Sequence, residues 1–286
     1  MATAAVLSPH DVPTTLNYYA PTDDSSEPPY SYLHTPPAGK PRTNVGQDPR
    51  PVVVHDVRGR EHEFTLDTVG FQFMTAPSAE TTFDDEARIK TEYYTEVEQL
   101  LKTVTGAKRV FIFDHTIRRV SPRPEDAGEG TLENQIRGPA ELVHVDQTYA
   151  ASVARVRYHL PADADRLLQG RVRLINVWRP IAHPVAHHPL AVSDWRTLDA
   201  HADLVPMRFI YPEREGGAYS VRYNPRHEWY YLADQTPEEV TLIKCYDSKE
   251  GVARLTPHTA FPDKTALEGA PHRQSIEVRA LVFNTE

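Results

Sequence analysis

With 286 residues the chain is long enough for one sizeable domain with a full hydrophobic core, and its formal charge of −9 argues against the basic stripe that nucleic-acid backbones require. No apolar run reaches the roughly 18 residues of a membrane span, and the opening MATAAVLSPHDVPTT lacks the basic and apolar regions of a secretion signal. The single cysteine, Cys245, cannot form an internal disulfide, so the expectation is a cytoplasmic protein with no membrane and no nucleic-acid partner.

Residues 1–50 are rich in proline, including Pro28-Pro29 and Pro36-Pro37. Proline lacks the amide donor and biases the residue before it toward extended backbone, so this stretch reads as an extended N-terminal arm, with Tyr18, Tyr19, Tyr30 and Tyr32 as aromatic anchors. Residues 51–286 read as one domain. It opens with PVVVHDV, RGRE and HEFTLD, which suggest a hairpin. A helix is expected over DDEARIKTEYYTEVEQLLKTV, capped by Thr82 or Asp84, with Tyr93, Val97 and Leu100/Leu101 along one face and Gly106 just past its end. Beyond Gly106 come short strands: KRVFIFDHT, ELVHVD, RVRLINVW, MRFIYP, SVRY, WYYL, TLIKCYD and QSIEVRALVF. Pro, Gly and Asp-rich turns separate them, a spacing that predicts a mainly β antiparallel sandwich or jelly roll with flanking helices.

In Glu141-Leu142-Val143-His144-Val145-Asp146, strand parity puts His144 and Asp146 on one face and the two valines on the other. A distant histidine would complete a two-His, one-carboxylate facial triad, which leaves positions on iron open for a cosubstrate and oxygen. His258, in Leu-Thr-Pro-His-Thr-Ala-Phe, is the candidate. A second H-x-D, His201-Ala202-Asp203, lies in SDWRTLDAHADL, which reads as a short helix where positions i and i+2 diverge by about 200°. His183, His187 and His188 fall in a proline-broken stretch without the regular spacing of zinc ligands, and read as a loop.

Arg273 and Ser275 open the strand RQSIEVRALVF and share one face of it. A guanidinium with a hydroxyl beside it suits the distal carboxylate of 2-oxoglutarate, whose keto-acid end would chelate the metal. Arg279 shares that face and is the rival clamp, and an ordinary ion pair of Arg273 with Glu277 is the bland alternative.

The strings FDHTIRR, HVDQTY, LINVWRPI, WYYL, KCYDS, PHTAF and APHRQSIEVRALVF together resemble a fungal family. That family groups gibberellin-desaturase-like and AsaB-type hydroxylase/desaturases with cephamycin methoxylase-related proteins, and the resemblance runs from about Leu16 to Phe283. It implies a double-stranded β-helix (a cupin-like jelly roll) and a non-haem Fe(II) enzyme using 2-oxoglutarate and O2. The implied reaction is hydroxylation, desaturation or oxidative cyclisation of a small metabolite, often in a secondary-metabolite pathway. By position it implies iron on His144, Asp146 and His258, and the cosubstrate carboxylate on Arg273 with Ser275. Asn176 is a further cosubstrate-binding candidate, and Arg179 with Trp178 reads either as a cosubstrate or substrate contact or as packing. Two readings from other classes compete: a zinc metallohydrolase on the same triad, which would need no carboxylate clamp, and a non-catalytic jelly-roll binding protein, which would need neither.

Overall fold

The computed structural model describes residues 10–22, 27–119, 138–267 and 269–286. Among these the strands in chain order are β1 (Val12–Pro21), β2 (Tyr30–Tyr32), β3 (Val45–Asp56), β4 (Phe71–Thr75), β5 (Arg109–Arg119), β6 (His144–Val145) and β7 (Val172–Pro180). They continue as β8 (Leu190–Ser193), β9 (Leu204–Ile210), β10 (Glu215–Val221), β11 (Trp229–Tyr231), β12 (Glu239–Asp247), β13 (His258–Ala260) and β14 (Gln274–Phe283). They form two sheets, nine strands in the order β1-β3-β11-β8-β13-β6-β10-β9-β2 and five in the order β4-β12-β7-β14-β5. The architecture is the expected jelly roll, with pairings antiparallel except β11 with β3 and β2 with β9.

Proline-bearing β1 lies at one edge of the larger sheet, where a missing amide donor is tolerated. Tyr18 anchors it: the ring is fully buried and its hydroxyl accepts from Trp229 Nε1 at 2.8 Å. The hairpin expected over residues 51–67 does not form. β3 has β1 on one side and β11 on the other, so no edge is left for HEFTLD to pair with. That segment turns through a 3-10 turn (Glu61–Glu63) and buries Phe64 and Leu66, Phe64 stacking on Phe71.

The expected helix runs as α1 (Glu86–Arg88), a π turn (Ile89–Tyr93) and α2 (Tyr94–Thr105). Asp85, not Thr82 or Asp84, caps it, accepting from the amides of Ala87 and Arg88, while Gly106 at φ 65° closes it in the left-handed conformation that glycine adopts without strain. Ile89, Tyr93, Val97 and Leu101 form its buried stripe against Val240, Leu242, Val278, Ala280 and Val282 of the smaller sheet. Two more helices, α3 (Tyr149–His159) and α4 (Ala164–Leu167), follow β6.

The helix expected over residues 193–204 is replaced by a 3-10 turn, Trp195–Thr197, and irregular backbone. The physical reason is local. Asp194, Asp199 and Asp203 accept from the backbone amides of Arg196, of His201 and Ala202, and of Asp199 respectively, a set of turn contacts that competes with helix.

β12 is buried along nearly its whole length and carries a fully buried lysine. Lys244 Nζ spends its three donors on Asp67 (2.8 Å), Asp247 (2.7 Å) and the Ala253 carbonyl (3.0 Å), and Arg171 forks onto the same Asp247. Burial alone would raise the Asp247 carboxyl, but Arg171 and Lys244 hold it low. Its contribution to stability is therefore present through neutral pH and is lost as pH falls from the ordinary carboxylate range through the depressed value. Removing one partner of a buried pair exposes the other to an uncompensated desolvation cost, so Lys244→Met is expected to lower unfolding free energy by about 3 kcal/mol in urea titrations.

Candidate metal centre

β6 and β13 are neighbours in the larger sheet, and the register puts His258 directly opposite His144. Side chains facing each other across a strand pair meet without any long reach, and here the ring centroids are 4.4 Å apart. Asp146 follows β6, its Oδ1 3.5 Å from His144 Nε2 and 3.8 Å from His258 Nε2. One donor atom from each of the three lies within 4.8 Å of the others, and among the described residues this is the one His, Cys, Asp or Glu group able to hold a metal ion.

The tautomers follow from the partners. His144 Nδ1 sits 2.7 Å from the Leu142 carbonyl and His258 Nδ1 3.0 Å from the Thr256 carbonyl. A carbonyl can only accept, so each Nδ1 carries the proton and each Nε2 presents its lone pair to the shared centre.

Asp146 is divided in the same way. Its Oδ2 accepts from Asn176 Nδ2 at 2.7 Å and from Arg279 Nε at 3.0 Å, which leaves Oδ1 facing the two imidazoles. Burial would raise this carboxyl, but Arg279 and the two histidines hold it well below the ordinary range, so it stays a carboxylate. Arg279 is held in turn by Glu277, by Thr116 Oγ1 at 2.9 Å and by Asp114 at 3.3 Å. Asn176 on β7 and Arg279 on β14 are register partners, so the smaller sheet supplies both hands that grip the carboxylate.

Arg273 lines the same cavity as the three candidate ligands, together with Glu277 and Arg279. It is 5% exposed, donates to the His188 carbonyl at 2.6 Å and lies over the Trp178 ring at 5.5 Å. No carboxylate pairs with it among the described residues, and its Nε is buried without a partner there. Burial and the nearby Arg118 push the guanidinium down to about 9, an electrostatic demand that an anion would meet. The bland ion pair with Glu277 is absent because Glu277 is taken by Arg279. Ser275, also buried, lies between them on the same face of β14.

The remaining candidates fall elsewhere. Asp203 is bonded to His227 Nε2 (3.0 Å) and Asn224, while His201 is exposed. Of the loop histidines, His188 enters the site through its carbonyl alone, as the stop on which Arg273 rests. Arg179 is spent on the Tyr93 hydroxyl and on the carbonyls of Ala76 and Pro237. Sequence reasoning set Arg279 aside as a rival clamp and read Asn176 as a contact to the cosubstrate. The available signal was a lone amide inside the otherwise apolar LINVW, facing a strand with an arginine on the same parity.

The comparisons with known proteins agree with this geometry. A family profile described as Oxidoreductase/YMDC permease-like domain matches residues 16–283. Hydroxylase/desaturase efuI of Hormonema carpetanum is 38% identical over 298 residues, spanning 98% of this chain and 97% of that protein. Fe(II)/2-oxoglutarate-dependent dioxygenase nvfI of Aspergillus novofumigatus is 35% identical over 259 residues, 88% of this chain and 90% of that protein. Two solved structures of the iron and alpha-ketoglutarate-dependent endoperoxidase NvfI match with TM-scores of 0.84 and 0.86 at 32% identity, covering 98% and 99% of this chain and 100% of the other. Fold and relatives together define a non-haem iron, 2-oxoglutarate-dependent dioxygenase. The chain belongs to the fungal hydroxylase/desaturase family of these enzymes, whose cofactors are Fe(II), 2-oxoglutarate and O2. Among the described residues no helix is long and apolar enough to cross a membrane.

Two outcomes follow from the grip on Asp146. Asn176→Ala and Arg279→Gln are each expected to weaken Fe(II) binding roughly ten- to a hundred-fold, read by anaerobic competition against a chelator, whereas His201→Ala leaves it unchanged. Acidification is expected to act through His144. Burial opposes its charge, but the contact with Asp146 raises its pKa, so a proton displaces metal from Nε2 as pH falls. Iron affinity should decline as pH falls, beginning above the ordinary histidine range, with Asp146 still ionised.

Proposed function

We propose that His144, Asp146 and His258 hold the Fe(II), that Arg273 with Ser275 anchors the distal carboxylate of 2-oxoglutarate, and that the enzyme oxidises an unactivated C–H bond of a small metabolite. The outcome is hydroxylation, desaturation or oxidative cyclisation in a secondary-metabolite pathway. The observation that carries this reading is the division of Asp146, with Oδ2 tied down by Asn176 and Arg279 and Oδ1 turned to the two imidazole Nε2 atoms. Bound iron would supply activation of oxygen. His144, Asp146 and His258 would contribute the three protein donors, leaving further positions for cosubstrate and oxygen.

Arg273 serves the cosubstrate as an immobile cation. His188 and Trp178 hold its guanidinium in place before any ligand arrives, so little side-chain freedom is lost on binding. Arg279 is too closely engaged with Asp146 to serve the same purpose, and we assign it and Asn176 to positioning that carboxylate. The buried, carboxylate-free Arg273 favours an oxygenase over a hydrolase, which has no use for such a group. We further infer a cytoplasmic enzyme acting as one domain, residues 51–286, with the described part of the 1–50 arm paired to it. The burial of Cys245 and the pairing of β1 with β3 support that inference.

Losing a charge-assisted contact to a carboxylate costs about 1.5–3 kcal/mol. Arg273→Ala is therefore expected to raise the apparent requirement for 2-oxoglutarate by roughly ten- to a hundred-fold with Fe(II) affinity spared, and Ser275→Ala to act more mildly. Succinate formation against 2-oxoglutarate concentration is the assay. An unchanged requirement in Arg273→Ala would remove the clamp from this arginine.

A further inference from the structure

A second cavity, of about 210 Å³, begins at the residue after Asp146, and its Arg155 lies within electrostatic reach of Arg279. Gln147, the residue after Asp146, forms one wall of it, with Arg155 and Tyr158 from α3 and Arg214 and Glu215 from the turn into β10. The carboxylate on the rim is already spent, because Glu215 makes a two-pronged pair with Arg208 at 2.6 and 3.0 Å. The two arginines are not. None of the ion pairs among the described residues involves Arg155 or Arg214.

Both guanidiniums are held on aromatic faces. Arg155 lies over Phe113 at 4.6 Å, with its Nε 3.4 Å from Gln147 Oε1, and Arg214 lies over Tyr211 at 4.0 Å and Tyr158 at 5.9 Å. Stacking of this kind fixes a fork without occupying the edge N–H donors, so Arg155 and Arg214 keep donors for a ligand. Two neighbouring observations point the same way. Tyr158 is a large aromatic left 70% exposed, and His159, stacked on Phe113, has Nε2 buried without a partner among the described residues. Burial and the charge of Arg214 lower the pKa of Arg155, a repulsion that an anion placed between the two would reverse. On a chain of net charge −9, two arginines without a direct ion pair among the described residues, on a wall that begins one residue after Asp146, form a selective feature.

We propose that Arg155 and Arg214 form the binding site for a carboxylate on the substrate to be oxidised, with Ala151, Ala154 and Tyr158 packing the flat or apolar body to which it is attached. The substrate class is thus a hydrophobic organic acid, held so that a carbon some distance from the acid group reaches the metal. Gln147 couples the two sites, since it follows the metal carboxylate in sequence and touches Arg155 through its side chain. The inference deepens the oxygenase reading and rests on it.

The test uses 2-naphthoate as a flat acid and 2-naphthamide as its neutral counterpart, titrated calorimetrically into metal-free protein. The acid is expected to bind about ten-fold or more tightly than the amide, as one charge-assisted contact would give. Arg155→Gln and Arg214→Gln should each weaken the acid by about ten-fold and leave the amide unchanged. Arg157→Gln, on the same helix but paired with Asp165, should change neither, and Arg273→Ala should leave acid binding intact. Arg214 is exposed, so its variant tests the site without disturbing the core. Equal affinity for acid and amide, no saturable acid binding, full retention in the two variants, or loss in Arg273→Ala would each overturn the proposal. The fate of the iron reading is separate. An intact keto-acid absorption band on iron-loaded protein with no acid preference removes this site alone, and an acid preference without that band removes the oxygenase reading and keeps an anion site.

Discussion

One carboxylate, Asp146, organises the centre, because its two oxygens have different tasks. A buried carboxylate is costly unless its charge is met and its lone pairs are bonded. Asn176 and Arg279 satisfy Oδ2, and that leaves Oδ1 unspent and aimed at the two imidazoles. The same contacts that make burial tolerable also stop the carboxylate from rotating. Position and protonation state are thus set before any metal arrives.

The two sheets divide the work. The larger one brings the imidazoles together through a single cross-strand register, His144 against His258, and fixes their tautomers with backbone carbonyls two residues back along the chain. The smaller one supplies the grip on Asp146 and, along one face of β14, a graded row of charge. Arg279 and Glu277 neutralise each other beside the candidate metal centre, and Arg273, at the far end, has no paired acid among the described residues. A row with its last cation unpaid suits an elongated dianion that has one end on the metal and the other on that arginine.

Periodicity of two exposed most of this in the sequence. H-V-D between valines declared its face, the strands expected after Gly106 overlap β5–β7, β9–β12 and β14 but omit β8 and the β13 that carries His258, and the parity of Arg273, Ser275, Glu277 and Arg279 put all four on one side of β14 and the residue before it. The two misread elements failed for different physical reasons. PVVVHDV looked like half of a hairpin because nothing local says that β1 pairs with it through Val54 and β11 pairs with Val54, His55 and Asp56. The 193–204 segment reads as a short helix, but Asp194, Asp199 and Asp203 each tie up a turn instead. Asn176 and Arg279 carried the right chemistry, but only the register across β7 and β14 shows that they meet on Asp146.

The most direct measurement is an anaerobic titration of the metal-free protein with Fe(II) and then 2-oxoglutarate, following the weak visible band of a keto acid chelated to iron. The account predicts one equivalent of iron, a band that saturates with 2-oxoglutarate in the wild type, and loss of both in Asp146→Ala with the fold retained. A wild-type protein that takes up iron without developing the band, or an Asp146→Ala variant that develops it fully, would contradict it.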